Sequence, residues 1–143
     1  MKFKSNSEAE TKEIGFRLGN IIKRGDVVCL YGDLGSGKTT MVKGIARALG
    51  IRERDITSAS FSIIIEYDSD IPFYHIDLYR IQHNEAASLG LHEYLGKEGI
   101  SVVEWAERAE KEMPENSIKI TLEYTGENSR DIAVNGVSLE KED

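Results

Sequence analysis

The chain holds a single cysteine, Cys29, so it cannot close an internal disulfide, and that economy fits a reducing compartment. Cys29 lies in the apolar run Val27-Val28-Cys29-Leu30 and reads as a small core residue rather than a reactive thiol. No apolar run approaches the roughly 20 residues that a membrane-spanning helix needs. The opening Met1-Lys2-Phe3-Lys4-Ser5-Asn6-Ser7 also lacks the apolar stretch of a secretory signal. A cytoplasmic protein is therefore expected. Positive charge is scarce: 18 Lys and Arg stand against 25 Asp and Glu, a net charge of −7. A domain that grips nucleic acid alone usually carries a basic surface, because phosphate contacts dominate affinity. The balance argues against autonomous RNA or DNA binding, while leaving room for a local basic patch or for a partner that holds the nucleic acid. Repeats, low-complexity tracts and long linkers are also missing. With 143 residues and 40% hydrophobic content, residues 1–143 are expected to form one domain around one core.

The apolar pattern alternates between strand and helix signatures. Ser7 and Glu10 have capping-box spacing, and Ile14, Leu18, Ile21 and Ile22 follow along one face, predicting a helix over Glu8–Lys23. Val27–Tyr31 is a continuous apolar run of buried-strand length. Lys38–Leu49 reads as a helix closed by Gly50. Thr57–Tyr67 and Ile71–Ile76 flank the turn signal Asp68-Ser69-Asp70 and predict a hairpin. Asn84–Leu95 predicts one or two short helices interrupted at Gly90, and Ile100–Glu104 a second buried strand. Ala106–Met113 predicts a helix that stops before Pro114. Ile118–Tyr124 and Asp131–Val134 predict a late strand pair. The class is α/β with a largely parallel sheet.

Between the first predicted strand and the second predicted helix, Gly32-Asp33-Leu34-Gly35-Ser36-Gly37-Lys38-Thr39 matches G-x-x-x-x-G-K-[ST] at every fixed position. Glycines there permit backbone angles that a β-carbon resists, and they let amide N–H groups point inward at phosphates. Lys38 supplies a cation for the β and γ phosphates. The Thr39 hydroxyl suits Mg²⁺, and the following helix adds its positive end. A nucleoside triphosphate with Mg²⁺ is the expected ligand.

Such a loop needs a carboxylate at a strand end to hold the metal and its waters. Two candidates close apolar strands, Asp77 after Phe73-Tyr74-His75-Ile76 and Glu104 after Ile100-Ser101-Val102-Val103. Both would project from the carboxyl edge of the sheet, where ligands sit in such folds. The alternative reading of each is a strand-terminal carboxylate that caps the next turn. His75 shares Asp77's strand and reads more readily as a satisfied, partly buried histidine than as a catalytic one. His83 and His92 lack metal-ligand spacing and read as surface residues, and Trp105 reads as a packing residue beside the site.

Further segments narrow the field. Thr57-Ser58-Ala59-Ser60-Phe61, Glu66-Tyr67, His75-Ile76-Asp77-Leu78-Tyr79-Arg80, Leu89-Gly90-Leu91-His92-Glu93-Tyr94 and Val103-Glu104-Trp105 occur in this order. In order and spacing they resemble the TsaE family, small ATPases of bacterial tRNA threonylcarbamoyladenosine biosynthesis. The resemblance spans most of the chain, and its D-L-Y-R and V-E-W segments are the family-specific ones. It implies a P-loop NTPase-like three-layer sandwich with a mostly parallel central sheet and a late antiparallel strand pair. It also implies ATP hydrolysis in support of a complex containing TsaD and TsaB, which itself attaches the threonylcarbamoyl group to tRNA. The family's metal ligands match Thr39 and Glu104, and its acidic residue in D-L-Y-R matches Asp77. The nucleotide-binding set then comprises Asp33, Leu34, Gly35, Ser36, Gly37, Lys38, Thr39 and Thr40, with Glu8 and Arg130 corresponding to the family's adenine contacts. Lys38, Asp77 and Glu104 form the catalytic set. One departure is Ala59, where the family has proline, which leaves that segment's backbone less fixed.

In the reaction so implied, water attacks the γ-phosphate in line, while Lys38, the loop amides and Mg²⁺ neutralise developing charge. Asp77, or a hydroxyl of the Thr57–Ser60 segment, orients the water. Turnover by the chain alone is expected to be slow, because no arginine finger is evident; Arg80 is equally suited to a structural salt bridge. Two other readings share the loop. A small-molecule kinase would need an arginine-rich lid, but Arg80, Arg108 and Arg130 are isolated. A non-catalytic guanine-nucleotide switch would need an N/T-K-x-D base-reading element, which the chain lacks.

Overall fold

A computed structural model of the chain describes residues 1–33, 35–56 and 64–137, apart from the side chain of His83. Leu34 and the Thr57–Ser60 hydroxyls, with Ala59 among them, lie outside the described residues.

Ser7 starts helix α1 (Glu8–Gly19). Its Oγ accepts the Glu10 amide at 3.1 Å, while the Glu10 carboxylate reaches back to the Asn6 amide at 2.7 Å. The reciprocal bond of a capping box is thus present, with its donor amide one residue earlier than usual. The helix stops at Gly19 rather than at Lys23, with Asn20 as its cap. Ile21 and Ile22 follow in a turn, both bonding the Leu18 carbonyl. Ile22 still enters the core whereas Ile21 is exposed, so the apolar spacing outlasts the helical backbone. Helix α2 (Lys38–Ala48) packs on α1 through glycines. A β-carbon on Gly15 would lie 2.6 Å from the Met41 carbonyl oxygen, so only glycine permits this approach.

Seven strands form one sheet: β1 (Lys2–Ser5), β2 (Val27–Tyr31), β3 (Ile64–Tyr67), β4 (Phe73–Asp77), β5 (Ile100–Glu104), β6 (Ile118–Tyr124) and β7 (Arg130–Asn135). Their spatial order is β1-β7-β6-β2-β5-β4-β3. The four central strands, β6-β2-β5-β4, run parallel, and antiparallel strands close both sides. The late pair β6–β7 matches expectation, as does the β3–β4 hairpin from residue 64 onward; residues 57–63 of the expected first strand lie outside the described residues. β1 does not appear in the sequence reading: four residues, two of them lysine, carry too little apolar signal, and only pairing with β7 makes them a strand.

The two faces of β2 are both covered. Val28 and Leu30 face α1 and α2, together with Val102, Ile120 and Ile132. Val27 and Cys29 face a second cluster built from Val103, Leu78, Leu91 and Ala106. The segments over that second face are 3₁₀-helical: His83–Leu89, Leu91–Glu93 and Ala106–Glu112, the last broken at Ala109. The helix expected over Ala106–Met113 is therefore a tighter, interrupted coil. Gly90, at φ 72°, separates the first two segments where an interruption was expected.

Candidate nucleotide and metal site

Because β2, β4 and β5 are parallel, their carboxyl ends meet at one edge. The loop after β2 leaves from there, and Asp77 and Glu104 end the other two strands in direct register. Leu30 of β2 is the register partner of Glu104 on the other side. The connection from β2 to α2 brings the first turn of α2 over this edge, and Thr39 comes down onto Glu104. Its hydroxyl donates to the carboxylate at 3.2 and 3.1 Å. Glu104 is almost wholly buried. Behind it, His75 Nε2 lies 2.6 Å from Glu104 Oε2, and His75 is fully buried.

Gly35 and Gly37 have φ of 79° and 108°, values open to glycine but strained for other residues. Gly37 also faces Arg130: a β-carbon there would come 2.7 Å from the guanidinium. Tyr124 donates its hydroxyl to the Gly35 carbonyl, and Arg130 lies over the Tyr124 ring at 5.3 Å. Both residues are in register at the β6–β7 end, so the late strand pair walls one side of the loop.

Lys38 is buried, its ammonium donating to the Gly32 and Asp33 carbonyls and lying 4.2 Å from the centre of the Trp105 ring. Burial lowers the Lys38 pKa, and the carboxylates of Glu104, Glu107, Asp77 and Asp33 pull the other way. Asp77 is half-buried and accepts the Tyr79 amide at 3.0 Å. Desolvation raises its pKa; the Tyr79 bond opposes that rise, the Glu104 carboxylate adds to it, and His75 and Lys38 oppose it.

The arrangement fits a phosphate group. Ser36 Oγ is buried without a partner among the described residues, within a loop whose lysine is held against its own carbonyls. It also fits Mg²⁺. Thr39 and Glu104 offer hard oxygens side by side, the donor type this cation prefers, and these two residues would hold it. Among the described residues, no cluster of three or more His, Cys, Asp or Glu forms a protein-only metal cage. Magnesium is commonly held by one or two side chains and a nucleotide, without such a cage.

Of the residues expected from sequence, Lys38, Thr39, Asp77 and Glu104 converge, Gly35, Ser36 and Gly37 line the loop, and Arg130 joins them from β7. Asp33 and Thr40 flank this group, exposed and half-buried respectively. Glu8 is exposed at the first turn of α1 and has no hydrogen bond or ion pair to the loop among the described residues. The Trp105 ring over Lys38 and the Tyr124 bond to Gly35 were not legible in the sequence. His75 was partly so, since residues 75 and 77 of one strand share a face.

Comparison with known proteins identifies a family for the chain. Residues 5–132 match the family model for the threonylcarbamoyl adenosine biosynthesis protein TsaE. The tRNA threonylcarbamoyladenosine biosynthesis protein TsaE of Bacillus subtilis is 41% identical over 138 residues, covering 96% of this chain and 86% of that protein. Its counterpart in Treponema pallidum is 37% identical over 135 residues, covering 94% and 99%. A crystal structure of Bacillus subtilis YdiB superposes with a TM-score of 0.78 at 40% identity, over 92% of this chain and 82% of that one. With a family match over nearly its whole length, the chain belongs to the TsaE family of tRNA threonylcarbamoyladenosine biosynthesis.

Proposed function

We propose that this protein is a Mg²⁺-dependent ATPase of P-loop NTPase-like fold that works in the cytoplasm with TsaB and TsaD in forming N6-threonylcarbamoyladenosine in tRNA. The observation that carries this reading is the meeting of Lys38, Thr39 and Glu104 at one sheet edge, beneath a glycine-rich loop. Magnesium, when bound, supplies positive charge to the β and γ phosphates. The protein's own residues do the rest. Lys38 leaves the Gly32 and Asp33 carbonyls for the phosphates, exchanging two neutral acceptors for charged oxygens. The amides of residues 35–39 hold the phosphate oxygens, and the α2 dipole favours their charge. Thr39 and Glu104 hold the cation. Asp77, in register with Glu104 and held by the Tyr79 amide, orients water toward the γ-phosphate. Arg130 and Tyr124 brace the loop from β6–β7, and Arg130 and Glu8 are assigned to the adenine by the family correspondence. tRNA contact is left to the partner complex, in keeping with a net charge of −7.

The test is ATP hydrolysis with and without TsaB, TsaD and tRNA. Stimulation by the complex is expected, and Lys38→Ala should abolish both turnover and tRNA modification. Full modification by the alanine variant in the reconstituted system would sink the proposal.

A further inference from the structure

Glu104 is a long side chain with three rotatable bonds, and a metal ligand of that length binds well only if something holds it in one rotamer. Two donors reach its carboxylate: Thr39 Oγ1, at 3.2 and 3.1 Å, and His75 Nε2, at 2.6 Å from Oε2. They are not equivalent. Thr39 is itself a candidate ligand, so its hydroxyl must reorient when a cation arrives. His75 sits behind Glu104 on the neighbouring strand, out of reach of solvent, and has no such second duty.

The ring is costly to bury. His75 Nδ1 is enclosed without a partner among the described residues, and among them the contact with Glu104 is the ring's one hydrogen bond. Phe73 precedes it on the same face, and Val102 is its register partner; both are buried and apolar. An aliphatic side chain at position 75 would continue that apolar row without the desolvation cost. A histidine here is explained by what it does to Glu104.

We propose that His75 is a positioning residue for the metal site: its Nε2–H pins Glu104 Oε2 and leaves the carboxylate presented to Thr39 and to the cation they share. This role rests on the magnesium–nucleotide reading above. It is the same logic by which metal ligands elsewhere depend on a hydrogen-bonded outer partner, here with the histidine outside and the carboxylate inside.

The test reads binding rather than turnover. Affinity of the full chain for a non-hydrolysable ATP analogue is measured by calorimetry across a magnesium series and in EDTA, for wild type, His75→Leu, His75→Gln and His75→Asn. Leucine fills the space without a donor, glutamine carries an N–H near the Nε2 position, and asparagine falls one methylene short. For His75→Leu the magnesium needed for half-maximal tightening should rise about 10- to 100-fold, with affinity in EDTA within about twofold of wild type. Glutamine should recover most of the loss and asparagine little. An unchanged magnesium requirement in a folded leucine variant overturns the proposal, as does an equal loss of affinity in EDTA. If the leucine variant does not fold, equal magnesium requirements for the glutamine and asparagine variants overturn it. A wild-type chain whose analogue affinity ignores magnesium overturns the metal-site reading itself, and the positioning role with it.

Discussion

The Thr39 hydroxyl donates to both oxygens of Glu104, at 3.2 and 3.1 Å, although 65 residues separate them in the chain. The contact joins the first turn of α2 to the end of β5, and it places hard oxygens of both residues beneath the glycine-rich loop. Glu104→Gln keeps the shape and removes the charge. Turnover should fall by about 100-fold or more, the scale seen when one preorganised electrostatic group is lost. Steady-state ATP hydrolysis at saturating magnesium checks this; a glutamine variant within a few-fold of wild type would remove Glu104 from the site.

Asp77 gives a prediction of opposite sign for stability. Burial holds its folded pKa above the ordinary value of 3.8, so the ionised form costs stability at neutral pH. That cost is relieved as pH falls through the raised folded value. Asp77→Asn keeps an acceptor for the Tyr79 amide and removes the buried charge. It should melt at or above the wild-type temperature at pH 7, with the difference shrinking on acidification, while ATP turnover drops. Melting curves between pH 4 and 8 decide the matter, and an asparagine variant less stable at pH 7 than at pH 4, relative to wild type, contradicts it.

Trp105 has φ 59° and ψ 42°, the one left-handed non-glycine among the described residues. The Lys38 ammonium lies over its ring, and the Tyr79 ring packs against it, tilted by 47° with centroids 5.0 Å apart. A tryptophan held in this conformation costs stability, and the contacts at the site offset it. Alanine and glycine both lose the ring, but only glycine also relieves the backbone. Trp105→Gly should therefore be more stable than Trp105→Ala by about 1 kcal/mol, measured by urea unfolding. Equal stabilities would mean the backbone is unstrained.

Cys29 lies fully buried between the sheet and the second apolar cluster, and burial pushes its pKa up to about 11. The thiolate is the reactive species, so the native protein should resist iodoacetamide at pH 8. Modification should follow the urea unfolding curve. Rapid labelling of the folded chain would contradict the packing of β2.

The glycine-rich loop, both strand-end carboxylates and the two long helices were legible because their signals are local. Glycine spacing, an apolar run ending in an acid, and 3.6-residue periodicity each need only a short window of sequence. The overlong α1 shows the limit of that window: Ile22 keeps its core position through a turn, and periodicity cannot tell a buried turn from a buried helix. β1 shows the same limit from the other side, since its strand character comes from β7.

For this protein the sequence by itself determined which groups are present at the loop and the strand ends: the glycines, Lys38, Thr39, Asp77 and Glu104. It also carried the family, through short segments whose order survives without any contact between them. The tertiary structure decided who touches whom. Parallel register put Asp77 beside Glu104, the loop's reversal set Thr39 on that carboxylate, and strand parity placed His75 behind it. Those pairings depend on sheet order and on the approach of α2, which are properties of the whole chain's packing, and no window of sequence encodes them.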